Sequence, residues 1–207
     1  DLKKLKANKF KFSAKKSKTK PAESEPDTGR YLAKPRTERY RGEPTADEPT
    51  TDKPTKGIIY YSDCQLDPKI AEPVRKQILK ISKKNGLPIV SATLKKMDFG
   101  GKNIHFPSLK RGYPAMFKQI TAALEHSTAD IIFFCEHDVL YHPSHFDFTP
   151  PDKNTFYYNQ NVWFLRTKDG HALHYDVNQL SGLCGYRDAL YTHFKERFER
   201  IEKEGFS

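Results

Sequence analysis

The strongest constraint on the fold is the order in which apolar runs and helical repeats alternate after Gly57. "GIIYYSD", "LPIVSATL" and "IIFFC" are short runs rich in branched and aromatic residues, which is typical of strands. Between them, "DPKIAEPVRKQILKISKKNG" and "YPAMFKQITAALEHS" carry apolar residues at helical spacing. Strand, helix, strand, helix, strand is the order of a parallel α/β sheet with right-handed crossovers. The sequence therefore predicts an α/β fold.

Local signals refine this prediction. Asp67 is a candidate N-cap for the first helix, with Pro68 at the first helical position and Gly86 as a stop. Pro73 offers an alternative start inside the same segment. The third run, "IIFFC", is continuously apolar, which predicts a parallel strand that is covered on both faces.

The pattern changes after the third strand. "FYYNQNVWFLR" and "HALHYD" flank "TKDG", which predicts a β-hairpin, and Trp163 within it is assigned to the core. "LSGLCGY" predicts one more strand. "RDALYTHFKERFERIEKEG" predicts a closing amphipathic helix with Asp188 at its N-cap. A parallel half followed by an antiparallel half implies a mixed sheet.

Residues 1–56 differ from the rest of the chain. They carry +7 of the formal net charge of +10, including nine lysines among the first twenty residues, whereas residues 57–207 carry only +3. The segment lacks a sustained apolar pattern, and its second part is rich in Pro, Glu and Thr. We therefore expect a disordered lysine-rich tail and linker over 1–56 and a single domain over 57–207. The tail is either a solvated extension or an arm for a weak anionic partner.

Cysteine spacing and hydropathy limit the kinds of site and the cellular compartment that the sequence predicts. Cys64, Cys135 and Cys184 are widely separated, which favours small buried thiols over a disulfide framework or a zinc site. No apolar stretch approaches the ~20 residues that a membrane span needs. These features predict a soluble, cytoplasmic protein with no transmembrane segment. A start at Asp1 and an end directly after a charged helix are compatible with a fragment truncated at the C-terminus.

Glu136, His137 and Asp138 follow the third strand directly. In open α/β sheets, ligands bind outside the carboxyl ends of the strands. If the strand stays extended, Glu136 and Asp138 point to the same face because side chains alternate. Two converging carboxylates suit a hard divalent cation such as Mg²⁺ or Mn²⁺. The alternative is that these residues only begin a surface loop.

This arrangement over roughly residues 57–200 resembles the glycosyltransferases of the GT-A fold, most closely the family 2 type. "FFCEHDVLY" stands where that family has a strand ending in Asp-x-Asp, with Glu-His-Asp in its place. The resemblance implies a Rossmann-like GT-A domain with a mixed sheet and Mn²⁺ or Mg²⁺ as cofactor. It implies hexosyl-type transfer from a nucleotide-diphosphate sugar donor to an acceptor, which is a glycan, a lipid, a protein or a nucleobase.

The resemblance also assigns roles to residues. Asp63, at the end of "GIIYYSD", would contact the base or the ribose, and Lys110 or Arg111 would lie near the diphosphate. Glu136 and Asp138 would hold the metal. His174 is a candidate third ligand, since some GT-A enzymes use a histidine. The competing interpretations are a turn residue at Asp63, exposed loop charges at Lys110 and Arg111, and an ordinary hairpin residue at His174.

An inverting transfer needs a carboxylate base that takes a proton from the acceptor hydroxyl. The family usually supplies it from a Glu-Asp pair late in the domain, and no such pair follows residue 146. Asp176, in "HYDVNQLSG", is the candidate catalytic residue. The departure from the family pattern leaves both the inverting and the retaining mechanism open.

Two other functions compete with the transferase. His137, His142 and His145 lie close to the carboxylates in sequence, which favours a His/Asp metal-dependent hydrolase as the alternative. The His-Asp dyads of known metal phosphohydrolases sit on helices, however, whereas this one ends an apolar strand. A nucleic-acid-binding protein led by its basic tail is the non-enzyme hypothesis, and the near-neutral charge of residues 57–207 disfavours it.

Overall fold

The computed structural model describes residues 12–16 and 53–205. Its helices are α1 (Pro68–Asn85), α2 (Tyr113–His126) and α3 (Arg187–Glu204), with short 3₁₀ turns at Pro143–Asp147 and Leu180–Gly182. Its strands are β1 (Phe12–Lys16), β2 (Lys56–Ser62), β3 (Ile89–Thr93), β4 (Lys102–His105), β5 (Ile131–Cys135), β6 (Thr155–Asn159), β7 (Val162–Leu165), β8 (Ala172–Tyr175) and β9 (Leu183–Tyr186).

Seven strands form one mixed sheet in the order β1-β6-β9-β5-β2-β3-β4. β2 pairs in parallel with β3 and β5, and β3 pairs in parallel with β4. β9 is antiparallel to both β5 and β6, so β6 runs in the same direction as β5. The predicted α/β fold with a parallel half and an antiparallel half is confirmed. β7 and β8 form the predicted hairpin, but it is separate from the main sheet. The first part of the run that is predicted as one hairpin strand forms β6 and joins the main sheet instead.

The two faces of the sheet are covered by different helices. Ile58 and Phe133 pack with α1, whereas Ile59 and Phe134 pack with α2 and α3. Every residue of β5 is fully buried, which confirms that this continuous apolar run is covered on both faces. Consecutive residues of β5 therefore serve two separate hydrophobic clusters.

The boundaries of α1 follow the predicted signals. The helix begins at Pro68, and the carboxylate of Asp67 accepts a hydrogen bond from the backbone N–H of Lys69 at 2.9 Å. It ends at Gly86, which adopts the left-handed conformation with φ of 63°. Pro73 lies inside the helix, in its second turn, rather than at its start.

Two strands were not predicted. β4 is a short, half-exposed edge strand, and its sequence "KNIH" lacks the apolar run that identifies a strand. β1 lies within the predicted tail and pairs antiparallel with β6, with Phe12 opposite Asn159 and Lys16 opposite Thr155. The expectation of no folded element before Gly57 is therefore wrong for residues 12–16 and for Lys56, which begins β2. The prediction for the rest of 1–52 lies outside the described residues.

Two residue assignments are also wrong. Trp163 is 42% exposed rather than part of the core, because its strand belongs to the separate hairpin and not to the main sheet. Asp188 is not the N-cap of α3, since that position is Tyr186 and Asp188 lies in the first helical turn, where it pairs with Arg187.

The predictions for the cysteines and for the membrane are consistent with the described chain. All three cysteines are free, and Cys135 and Cys184 are buried. Within residues 12–16 and 53–205, no helix combines the length and the apolar character that crossing a bilayer requires.

His145 is a buried titratable group in the cluster beneath α1. Its side chain is 1% exposed and packs against the rings of Phe133 and Phe146. The amide nitrogen of Asn159 donates a hydrogen bond to its Nδ1 at 3.0 Å. Burial lowers the pKa of His145 from 6.5 to about 4. The folded protein therefore keeps this imidazole neutral.

We predict a loss of stability that is specific to His145 as the pH falls from 6.5 to about 4. The unfolded chain binds a proton in this window and the folded chain does not, so stability is highest above pH 6.5. The contribution lost by pH 4 is about 3 kcal/mol. Urea denaturation across this range should show a shallower pH dependence for His145→Gln. The exposed His126→Gln should behave like the wild type, and identical slopes for all three proteins would contradict this account.

Candidate functional site

A cavity of about 370 Å³ opens at the carboxyl edge of the parallel strands. Because β2, β3 and β5 run in parallel, their carboxyl ends meet at this edge. The lining comes from the end of β2, the start of α2 and the segment after β5, including Asp63, Arg111, Gln119, Glu136 and His137. The position is the one at which open α/β sheets bind ligands.

A half-buried carboxylate lies in this cavity. Glu136 follows β5 directly, and its Oε1 accepts a short hydrogen bond from the phenol of Tyr61 on the neighbouring strand β2. Burial raises the pKa of Glu136, and the hydrogen bond from Tyr61 partly offsets that rise. Burial also raises the pKa of Tyr61, together with the nearby carboxylate. The phenol therefore remains a proton donor to Glu136 over the physiological pH range.

The backbone at Glu136 is held by a second tyrosine. The N–H of Glu136 donates to the phenol oxygen of Tyr141 at 3.0 Å, and the N–H of Tyr141 donates to Oε1 of Gln77 on α1 at 3.0 Å. Tyr141 is 5% exposed. The carboxylate is thus positioned through its side chain from β2 and through its backbone from the α1 side of the sheet.

His137 and Asp138 form a turn rather than an extension of the strand. Strand pairing ends at Cys135, and Asp138 is exposed whereas Glu136 is half-buried. Nδ1 of His137 is buried and has no hydrogen-bond partner among the described residues. Glu136 and Asp138 would share a face only if the chain stayed extended after β5. That condition is not met, because the backbone turns once β5 stops pairing with its neighbouring strands.

The opposite wall of the cavity carries an ion pair. Nε of Arg111 lies 2.6 Å from Oδ2 of Asp63, and Oδ1 of Asp63 accepts from the N–H of Gln65 at 3.0 Å. The Arg111 side chain is 74% exposed, so the pair contributes little to stability. Cys64, between Asp63 and Gln65, has a φ of 58°, which turns the chain sharply out of β2. A charged ligand can replace either partner at low cost.

The start of α2 faces the same space. Its N-cap is Gly112, which has a φ of 149° and makes no side-chain capping bond, and Gly112, Tyr113 and Ala115 line the cavity. The first N–H groups of a helix lack partners within the helix and carry the positive end of its dipole. Together with Arg111, this helix start favours an anionic group in the cavity.

Gln119 ties α2 to the ends of two strands. Its side chain is 3% exposed, and its Nε2 donates to the carbonyl oxygens of Ser62 and Ala92, both at 2.8 Å. Ser62 is the last residue of β2, and Ala92 is the last but one of β3. Gln119 therefore fixes the helix start relative to the strand ends, which sets the width of the cavity between them.

The predicted site residues fall into two groups. Asp63, Arg111 and Glu136 line one cavity. Lys110, Asp138, His174 and Asp176 are exposed and are not among its lining residues. Nε2 of His174 lies 3.2 Å from the carbonyl oxygen of Gln160 within the hairpin region. Within the described chain, no three His, Cys, Asp or Glu side chains come together as a metal-binding group.

Three residues that shape the site were not identified from the sequence: Tyr61, Gln119 and Tyr141. Tyr61 and Gln119 act through contacts with residues distant in the chain, so no local motif marks them. Tyr141 contacts the backbone of Glu136, five residues before it, and such a contact has no sequence motif either. Only Tyr61 carries a sequence signal, and that signal is weak. Tyr61 lies on the same face of β2 as Ile59, and a phenol at the end of a buried strand usually has a polar partner.

No protein-family model matches the chain, and no curated protein matches it. The functional assignment therefore depends on the geometry of the cavity and on the resemblance of its elements.

Replacing Tyr61 by Phe should raise the pKa of Glu136 further. The substitution removes the hydrogen bond that stabilises the carboxylate and leaves the burial that destabilises it. Carboxyl carbon chemical shifts measured against pH would report the change. Tyr157→Phe, a buried tyrosine on β6, serves as the matched control and should leave the Glu136 titration unchanged. A Glu136 pKa that stays the same or falls in Tyr61→Phe would be inconsistent with this geometry.

Replacing Gln119 by Leu should lower the free energy of unfolding by about 1–3 kcal/mol, because two buried hydrogen bonds are lost. Urea denaturation measures the difference. Glu125→Leu, an exposed position on the same helix, should change stability by less than about 0.5 kcal/mol. Equal losses in the two variants would show that the contacts of Gln119 with β2 and β3 do not matter.

Proposed function

We propose that the protein is a glycosyltransferase that transfers a sugar from a nucleotide-diphosphate sugar donor. The observation that carries the proposal is the convergence of Asp63, Arg111 and Glu136 on one cavity at the carboxyl edge of a parallel sheet. The three residues come from segments that the GT-A resemblance assigns to the nucleotide, the diphosphate and the metal. They are separated by 25 or more residues in sequence, so their convergence is not a consequence of local spacing.

The part of the cavity that carries Asp63, Arg111 and the start of α2 suits both ends of a nucleoside diphosphate. Asp63 is a half-buried carboxylate beside a turn, and a carboxylate there can accept hydrogen bonds from ribose hydroxyls or from a base. Arg111 and the uncapped start of α2 provide positive charge and backbone N–H groups for the phosphates. In this proposal, ligand phosphates replace Asp63 as the partner of Arg111.

The carboxylates after β5 fit a divalent cation of the Mg²⁺ or Mn²⁺ type. Such a cation commonly takes one or two protein carboxylates and completes its shell with phosphate oxygens and water, so a set of three protein ligands is not required. Glu136 faces the cavity, and Asp138 follows two residues later. A cation held by these residues would neutralise charge that develops on the departing nucleoside diphosphate. Tyr61 would orient Glu136, and His137 presents its unpartnered Nδ1 nearby.

Asp176 remains the proposed base. β6 runs in the same direction as β5, so the hairpin that follows β6 leaves the sheet at the edge that carries the cavity. β8 returns toward that edge, since Tyr175 pairs with Val162 at the root of the hairpin. Asp176 follows Tyr175 directly and is exposed, as a residue that meets an incoming hydroxyl must be.

Calorimetry with UDP, GDP and dTDP, with and without Mn²⁺, tests this function. We expect one nucleotide to bind in a metal-dependent manner, and we expect Asp138→Ala to weaken the metal dependence. Arg111→Ala should raise Kd by about 10- to 100-fold, because it removes a charge-assisted hydrogen bond to phosphate. Arg200→Ala, an exposed arginine of α3, is the matched control and should bind as the wild type does. Absence of binding for all three nucleotides under both conditions would refute the proposal.

A further inference from the structure

The hairpin formed by β7 and β8 exposes large apolar side chains on both of its faces. Five residues are between 42% and 58% exposed, namely Trp163, Phe164, Leu165, Leu173 and Tyr175. Strand alternation places Trp163 and Leu165 on one face and Phe164, Leu173 and Tyr175 on the other, which the register of the hairpin confirms. The hairpin contains the largest concentration of exposed apolar side chains among the described residues.

Little else in the described chain supports this hairpin. β7 and β8 pack against each other, and no other helix or strand of the described ranges makes extensive contact with them. The internal contacts are aromatic, with Phe164 and Tyr175 rings 4.8 Å apart and Trp163 and His174 rings 5.2 Å apart. A two-stranded hairpin is at best marginally stable in water without a third element. A partner that covers it would supply the missing burial.

The outer edge of β7 has none of the features that prevent strand pairing. Its sequence, Val162–Leu165, contains no charged residue and no proline, and β8 is its only partner within the described sheets. Proteins usually protect an exposed edge with lysine, proline or a bulge, because unpaired backbone groups accept another strand. The free edge of β7 is therefore suited to pairing with a further strand.

Pairing along the free edge of β7 would bury mainly the exposed side chains of that strand. A large apolar side chain offers about 150–250 Å², so the roughly half-exposed Trp163, Phe164 and Leu165 present about 300 Å² of apolar surface on each copy. A standard interface buries about 800 Å² per partner, and about 60% of that area is apolar. A contact through β7 is therefore smaller than a standard interface, which suits a weak dimer whose population depends on the chain concentration.

The charges of the hairpin argue against other occupants. Arg166 is neutralised by Asp169, with Nη2 and Oδ2 2.5 Å apart, so a polyanion would meet little net charge. The turn between the strands holds Arg166, Lys168 and Asp169, and insertion of this tip into a bilayer would bury charged groups. The one charge that is left uncompensated, Lys168, lies in the turn and not in β7, so two copies can meet along β7 without bringing like charges together.

We propose that the protein forms a homodimer in which β7 pairs antiparallel with β7 of a second copy. A two-fold axis centred on Phe164 sets Phe164 opposite its own counterpart and Trp163 opposite Leu165, so that apolar side chains meet on both faces. The contact is isologous, because each copy contributes the same strand and the interface closes on itself. The two hairpins become one four-stranded sheet. The proposal does not depend on the glycosyltransferase function.

Light scattering after size exclusion, at chain concentrations from about 1 to about 100 µM, tests the dimer. We expect a mass twice the chain's 23.9 kDa at the higher concentrations. Phe164→Lys should give a monomer throughout, because it puts a charge at the centre of the contact. Leu140→Lys is the matched control, since Leu140 is 59% exposed and lies outside the hairpin, and it should remain a dimer. A monomeric wild type at every concentration, or a dimer that survives Phe164→Lys, overturns the proposal.

Trp163 provides a second readout without a variant, because it is the only tryptophan in the chain. Its emission should shift to shorter wavelength as the concentration rises through the dimerisation range, since pairing places Leu165 of the second copy beside its ring and covers part of it. Mass doubling without this shift would place the contact elsewhere and overturn the proposal. Co-sedimentation of a monomeric protein with anionic phospholipid vesicles would overturn it as well, in favour of a lipid surface as the occupant.

Discussion

The hydrogen bond from Tyr61 to Glu136 is the interaction on which the candidate site depends. A carboxylate placed directly after a fully buried strand cannot remain there without a donor, since desolvation penalises its charged form. The donor is available because β2 and β5 are neighbours in parallel register, and Tyr61 lies near the carboxyl end of β2. The strand order that buries β5 therefore also brings the phenol of Tyr61 to the carboxylate of Glu136.

The surrounding contacts extend this constraint outward. Tyr141 fixes the backbone of Glu136, and Gln119 joins the helix start of α2 to the ends of β2 and β3. The geometry of the cavity is thus set by buried polar contacts, whereas the ion pair in its lining joins an exposed Arg111 to a half-buried Asp63. Buried polar contacts are costly to break and exposed ion pairs are not. Such a cavity keeps its shape while a charged ligand replaces one partner of the ion pair.

The sequence predicted the elements whose signals are local. The caps of α1 at Asp67 and Gly86 depend on adjacent backbone groups, and the apolar run of β5 depends only on burial. The features that the sequence did not predict depend on distant neighbours. β1 and β4 form strands because each pairs with a neighbouring strand, β6 and β3 respectively. Their own residues do not favour strand structure. Trp163 is exposed because its strand is not part of the main sheet, and Asp138 lies in an exposed turn because strand pairing ends at Cys135.

For the site, sequence reasoning found Asp63, Arg111 and Glu136, which lie at the predicted ends of elements. It could not find Tyr61 or Gln119, because their roles depend on which strands and helices become neighbours. It could not find Tyr141, because the path of the turn after β5 decides whether its phenol meets the N–H of Glu136. The most direct test of the central claim is a crystal structure of the protein grown with a nucleoside diphosphate and Mn²⁺. The account predicts density for the phosphates between Arg111, the start of α2 and Glu136, with the ribose beside Asp63. A nucleotide bound away from the carboxyl edge of β2 and β5 would contradict it.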